Sequence, residues 1–363
     1  MTTTVSSRRH FPSVEIDSSL AYEFLMSLCA ISFPQDPQDP QDLEASEETG
    51  GWYEATSAKT SPELLNAIEQ FSSHYERLWS HLLGLAYESP SPRDVSSFIA
   101  YLEVTEATEL LLHLVGYYLR PFRRLTQPDI MLQAVEGKQE AQREFLRTSF
   151  PDDANWQAAL RQLLAYGPQT AKEHLLNILR SWYNEIFREQ EAQLTPILLR
   201  DAKAKRILKQ KESPQQVIEL ATNGFDYVPE PYVREVLLIP SFILRPWVIT
   251  SEHHDVKIFC YPVADESLVE DDEAPPAHLV RLCKALADER RLRILKKLTT
   301  RSYSLQEMAD DFGVVKSTMN HHFVILRSAG FVRLRTNDNQ YSLRSDSVSE
   351  MCKLLEEYMA KQY

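Results

Sequence analysis

Glycine is scarce in this chain, nine residues among 363, and the scarcity removes whole classes of chemistry. No GxGxxG, GxxxxGK(S/T) or GxSxG run occurs, and HExxH is missing too. The chain therefore lacks the loops that cradle dinucleotides and nucleoside phosphates, the nucleophile elbow and the zincin helix. It reads as a non-enzyme with no cofactor and no metal site. Cysteine is equally sparse. Cys29, Cys260, Cys283 and Cys352 lie far apart with no CxxC among them, which excludes a zinc knuckle and a redox pair. So few thiols cannot frame a disulfide scaffold, and a reducing cytoplasm is expected. Long apolar runs are absent as well. The longest, around Leu110 to Leu119, contains His113 and is too short to span a bilayer. The opening MTTTVSSRRHF lacks the apolar core of a secretion signal. A cytoplasmic protein with no membrane partner is the expectation.

Positive charge is also in deficit, with a net charge of −13. That average hides an asymmetry. Residues 276–363 carry 15 Lys and Arg against 10 Asp and Glu, or +5, so the remainder carries −18. A basic module on an acidic body is the arrangement of a nucleic-acid-reading domain joined to a domain with another task.

What the chain does have is 43% hydrophobic residues and helical periodicity. After a polar arm, Leu20 to Ile31 reads as a helix. Pro-Gln-Asp then recurs at Pro34, Pro37 and Pro40 and reads as an exposed loop. From Ser61 to about Gly224 the pattern is helical throughout. Ser61-Pro62, Asp94 and Ser213-Pro214 mark starts, and Thr195-Pro196 marks a start or a kink. Single helices are expected from Asp94 to Leu119 and from Asp129 to Ser149, then at 153–166 and 169–190. The period changes at Glu235–Ile239, Ile243–Ile249 and Val256–Pro262, short segments rich in β-formers that predict a small antiparallel sheet near 233–263. DESLVEDDEAPP reads as an acidic linker. The organisation is mainly α: a helical regulatory or dimerisation domain over 1–264 with its small sheet, a linker at 265–276, and a second domain at 277–363.

That second domain carries the function. In HLVRLCKALADERRLRILKKL, Asp288 ends one helix and caps the next. Ser304 and Glu307 form a capping box. The helix Leu305–Phe312 ends at Gly313, which supplies a left-handed turn, and Lys316–Ala329 follows and is ended by Gly330. Phe331 to Arg335, an Asn337-Asp338-Asn339 turn and Gln340 to Leu343 make a hairpin. Together these form a winged helix-turn-helix. Met319, Phe323, Ile325, Leu326 and Ala329 anchor the second helix. Lys316, Ser317, Thr318, Asn320, His321 and His322 are offered to double-stranded DNA, with Asn able to pair both edges of adenine. Arg333, Arg335, Asn337 and Asn339 on the wing complete the DNA-facing set.

LCKALADERRLRILKKL, LQEMADDFGVVKSTMNHHFVILRSAGFVRLR and YSL together resemble the ArsR/SmtB family of dimeric repressors, over about a quarter of the chain. The resemblance implies a recognition helix at 316–329 in the major groove, with base contacts at Lys316, Ser317, Asn320 and His321, and a wing at 332–343. Val315 departs from it, standing where the family usually has a Ser or Thr N-cap. The family's metal sites are missing, since LQEMADDF has no Cys and the last helix no His. The resemblance also implies dimerisation through terminal helices. Leu279 and Leu282 on the first, with Val348, Met351, Leu355 and Tyr358 on the last, form the expected seam of a homodimer on an inverted-repeat operator. LLIPSFILRPWVI and IFCYPV resemble, more loosely, the DUF5937-like amino-terminal region of long ArsR-type regulators, which names no ligand.

Other features read more plainly. Glu252-His253-His254-Asp255 has metal-ligating side chains but sits between strands, where a polar turn is expected. His74 and His81 read as a solvated or partly buried pair, and Cys283 and Cys352 as small buried hydrophobes. Trp156, Tyr166, Trp182, Tyr183, Phe187 and Trp247 fit either a packed core or a pocket for an unknown small-molecule effector. Two alternatives stay open: a protein-interaction module that uses the winged helix without DNA, and a small-molecule-binding helical domain with a DNA-binding output.

Overall fold

The computed structural model describes residues 11–33, 49, 51–268, 275, 277–344 and 347–360. The polar arm before Phe11, the Pro-Gln-Asp triplets and residues 269–274 of the acidic segment lie outside the described residues. The fold is mainly α, a helical body followed by a winged helix-turn-helix.

Helix α1 (Leu20–Ser32) runs through the centre of the body, with Tyr22, Phe24, Leu25, Met26, Leu28 and Cys29 wholly buried. The helices between 52 and 148 and the long α2 (Ala154–Trp182) pack around it. Trp182 Nε1 donates to Ser27 Oγ at 2.8 Å, so the polar edge of this core indole is satisfied. The start signals act as expected. Ser61 Oγ accepts from Leu64 N, Asp94 from Ser97 N, and Ser213 forms a full capping box with Gln216. Gly167 is left-handed before Pro168 and breaks α2 at the expected boundary, whereas α3 (Arg188–Lys209) continues through Pro196. Two expected single helices are each divided. Val95–Val104 and Ala107–Leu114 are separated at Thr105, and Pro128–Val135 and Gln139–Thr148 are separated at left-handed Gly137. Helix α4 (Pro214–Ala221) closes the body.

Of the strands β1 (Ser13–Ile16), β2 (Phe225–Asp226), β3 (Glu235–Ser241), β4 (Ile249–His253) and β5 (Val256–Pro262), only β3 and β5 follow from the β-rich segments, whereas β1 lies at the end of the expected polar arm. One sheet has the order β1-β3-β5-β4. It is mixed, not antiparallel as expected: β3 lies parallel to both β1 and β5, and only β4 and β5 form a hairpin. The expected strand Ile243–Ile249 is turn over 243–246 and joins a strand only at its last residue. The reason is a tertiary contact: Glu23 Oε1 of α1 accepts from Phe242 N and Ile243 N at 2.9 Å each and keeps these groups out of any ladder.

The second domain contains α5 (Ala277–Leu286), α6 (Glu289–Leu298), β6 (Tyr303–Ser304), α7 (Leu305–Phe312), α8 (Lys316–Ser328), β7 (Val332–Arg335), β8 (Gln340–Leu343) and α9 (Ser347–Ala360). Its core holds Met308, Met319, Phe323, Leu326, Phe331 and Val332, and the rings of Phe323 and Tyr341 stack at 3.9 Å. The two domains are not loosely tethered. β2, from the body, adds to the wing in parallel and makes a second sheet of order β2-β7-β8-β6. The start of the expected linker is likewise docked. Asp265 is paired with Arg245 of the body and with Arg281 of α5, and Ser267 O accepts from Arg200.

Candidate nucleic-acid interface

The recognition element is built by short-range chemistry. Ser304 Oγ accepts from Glu307 N at 3.2 Å while the Glu307 carboxylate accepts from Ser304 N at 2.8 Å. This fixes the start of α7. Gly313, at φ 64°, reverses the chain in the left-handed conformation that glycine favours. Helix α8 then starts at Val315, whose side chain offers no cap. The first amides of α8 therefore have no side-chain acceptor from the N-cap residue, and such an end suits an oxygen anion.

Along α8 the apolar edge, Met319, Phe323, Ile325 and Leu326, is buried. Lys316 and Ser317 are exposed, and Thr318, Asn320 and His321 are half-buried on the outer edge. His322 belongs to neither set. At 7% exposure it is turned inward near the Asp288 end of α6, and burial lowers its pKa. It is removed from the outward-facing group because the 3.6-residue repeat carries it to the inner side of the helix.

The wing tip, Asn337 and Asn339, is exposed. The wing arginines have partners within the chain. Arg333 Nε bonds the Glu219 carboxylate of α4, and Arg335 lies 3.2 Å from Asp338 and 4.0 Å from Asp226. Arg327, at the far end of α8, is buried. It donates to Thr222 O at 2.8 Å and Asn223 O at 3.1 Å and stacks over Phe225. Part of the basic excess of this domain thus serves to hold the body. Sequence reasoning missed Glu219, Thr222, Asn223 and Phe225, which carry no signal beyond the adjacent Gly224.

The expected dimer residues divide. Leu279 and Leu282 are 4% and 2% exposed, covered by the chain itself, and so are not part of an open seam. Met351 and Tyr358 are half-buried, whereas Val348 and Leu355 are exposed on α9, as is Met359. Cys283 and Cys352 are exposed rather than buried.

A cavity of about 580 Å³ in the body is lined by Tyr75, His81, Phe122, Phe150 and Trp156. His81 is buried, its Nδ1 is 2.8 Å from Leu114 O, and burial lowers its pKa to about 4, so the ring is neutral at pH 7. His74, its expected companion, is exposed. A second cavity of about 440 Å³ reaches Leu334, Thr336, Asn337 and Asn339 of the wing. The two share Pro121, Thr250, Glu252 and Lys257 in their walls. Trp156, Trp182 and Phe187 are all core, and Trp156 also lines the first cavity. Among the described residues, no helix is long and apolar enough to cross a membrane.

Comparison with known proteins agrees with this geometry. A family model described as "Bacterial regulatory protein, arsR family" matches residues 288–333. The transcriptional activator HlyU of Vibrio cholerae is 34% identical over 89 residues, which cover 24% of this chain and 82% of that protein. No solved structure matches.

Proposed function

Since this chain belongs to the ArsR family of bacterial regulatory proteins through its carboxy-terminal domain, we propose that it is a sequence-specific transcriptional regulator whose helix α8 enters the major groove of an operator. The observation that carries this reading is the division of α8. Its apolar edge is sunk in the domain core while Lys316, Ser317, Thr318, Asn320 and His321 face outward beside a helix start without a side-chain cap. Asn320 and His321 would meet base edges, and Lys316 with the first amides would meet phosphate. Asn337 and Asn339 at the wing tip would touch the adjacent backbone or minor groove.

We read the protein as a homodimer on an inverted-repeat site, with Val348 and Leu355 in the seam, supported by their exposure on the terminal helix. The resemblance implies a repressor, but HlyU is named a transcriptional activator. A bound dimer blocks or assists polymerase according to where its operator lies, so the direction of control belongs to the operator. The amino-terminal body, with its DUF5937-like resemblance, is proposed as the regulatory domain. The two neighbouring cavities, one lined by Trp156 and the other reaching the wing, support a small-molecule effector. Selection of bound sequences from random duplexes by the full chain tests the reading. Enrichment of one palindromic site is expected, and no enrichment in the presence or absence of added metabolite extracts favours the protein-interaction alternative.

A further inference from the structure

Away from the DNA-facing domain, the β4–β5 hairpin brings together side chains that are distant in sequence. His253 Nε2 lies 2.8 Å from Glu88 Oε1, and His254 Nε2 lies 3.9 Å from the same oxygen. One ligating atom from each of the three residues falls within 4.8 Å of the others. We propose that Glu88, His253 and His254 form a binding site for a divalent transition-metal ion of the Zn²⁺ class, with water completing the coordination. The site lies in the body, outside the matched segment 288–333, and does not depend on the DNA-binding reading.

Three observations favour a ligand set over an ordinary polar turn. First, His254 and Asp255 form a two-residue turn, because His253 pairs with Val256. His254 holds φ at 52°, a left-handed conformation that, apart from Gly, Asn, Asp and His adopt most readily. The turn keeps the His254 ring beside Glu88. Second, His253 is 2% exposed and its ring is held with Nε2 toward Glu88. The ring is wedged against Gly84, where an added Cβ would collide with Nδ1. Third, the rings behind it form a shell. His113 stacks on His253 at 5.3 Å, and Tyr118 contacts His113, His253 and His254. Such a wall limits water and orients the ligands.

The donor set decides the ion. Two imidazoles and one carboxylate suit Zn²⁺, Co²⁺ or Ni²⁺, whereas Ca²⁺ and Mg²⁺ require mostly oxygen. Tetrahedral Zn²⁺ with bonds of about 2.0–2.1 Å holds its ligand atoms roughly 3.4 Å apart. The 2.8 and 3.9 Å separations of the two imidazoles from the Glu88 oxygen bracket that value, and the Glu88 side chain is 38% exposed.

The test uses the full chain, stripped with a chelator and titrated with Co²⁺ and then with Zn²⁺ in competition. Wild type should bind one Co²⁺ per chain, with ligand-field bands of a four- or five-coordinate ion and no thiolate charge-transfer band. Glu88→Gln and His254→Asn should each weaken binding on the order of tenfold or more. Asn tolerates the left-handed turn, so His254→Asn should keep the wild-type unfolding temperature. Absence of saturable binding would overturn the proposal. So would binding of equal strength in both variants, or a thiolate band from the exposed Cys283 or Cys352 that survives them.

Discussion

The buried guanidinium of Arg327 donates to the carbonyl oxygen of Thr222 at 2.8 Å, tying the end of α8 to the end of α4. The two residues are 105 apart in sequence. Burial lowers the pKa of Arg327 to about 10, which still leaves it charged at neutral pH. Replacing it with Met should leave the carbonyls of Thr222 and Asn223 without their donor and cost about 1–3 kcal/mol. Urea denaturation of the full chain measures this. An unchanged midpoint would mean that the domains do not depend on this contact.

Gly224 makes a second, independent prediction. Its φ is +93°, and a Cβ there would stand 2.7 Å from the Val332 carbonyl oxygen of the wing. Gly224→Ala should push β2 away from β7. The Leu334 amide, which donates to Gly224 O at 2.8 Å, should then exchange with solvent faster. Gly313 is also left-handed but has open space around it, so Gly313→Ala should show only local backbone strain and leave Leu334 protected.

Glu23 predicts a pH dependence. Its carboxyl is wholly buried in α1, and burial pushes its pKa up from 4.5 to about 7, against the hydrogen bonds it accepts from Ser241, Ile243 and Phe242. A folded-state pKa above the unfolded one means that the folded protein holds the proton more tightly. The resulting stability is fully present below about pH 4.5 and is lost as pH rises through 7. Glu23→Gln removes this dependence. Its stability relative to wild type should rise by about 3 kcal/mol between pH 4.5 and pH 8. A constant difference across that range would show that Glu23 ionises in the fold as it does in water.

On the DNA-facing edge, Asn320→Ala should weaken operator binding by about 1–3 kcal/mol and relax preference at one base pair. Lys316→Ala should instead weaken all sequences alike and lower the salt slope by about one. Uniform loss from Asn320→Ala would make that side chain a backbone contact.

The parts legible in the sequence are those with short-range causes. Ser61, Asp94 and Ser213 start helices because each side chain reaches an amide three residues on. Ser304 with Glu307 starts α7 in the same way, and Gly313 and Gly330 end their helices because each adopts a positive φ. Gly137 carried a signal that helical periodicity outweighed, and its positive φ divides the helix expected from Asp129 to Ser149. The junction was hidden because β2 has only two residues, too few to alternate, and exists by pairing with a wing strand more than a hundred positions away. The inward turn of His322 was obscured by its polar neighbours on the helix. Likewise nothing near His253 points to Glu88, 165 residues earlier, since only the folded sheet brings them together. The parallel pairing of β3 with β5 did leave a mark, since both read as near-continuous apolar runs of the kind buried on two faces, rather than as the alternation of a one-sided antiparallel sheet.

The proposed function rests on the outer edge of α8 reading duplex DNA. The most direct test is the affinity of the full chain for its selected operator, measured as salt rises from about 50 to 200 mM, beside Lys316→Ala and Asn320→Ala. A steep loss of affinity with salt is predicted, with a shallower slope for Lys316→Ala and base-specific loss for Asn320→Ala. Affinity that ignores salt and both substitutions would contradict it.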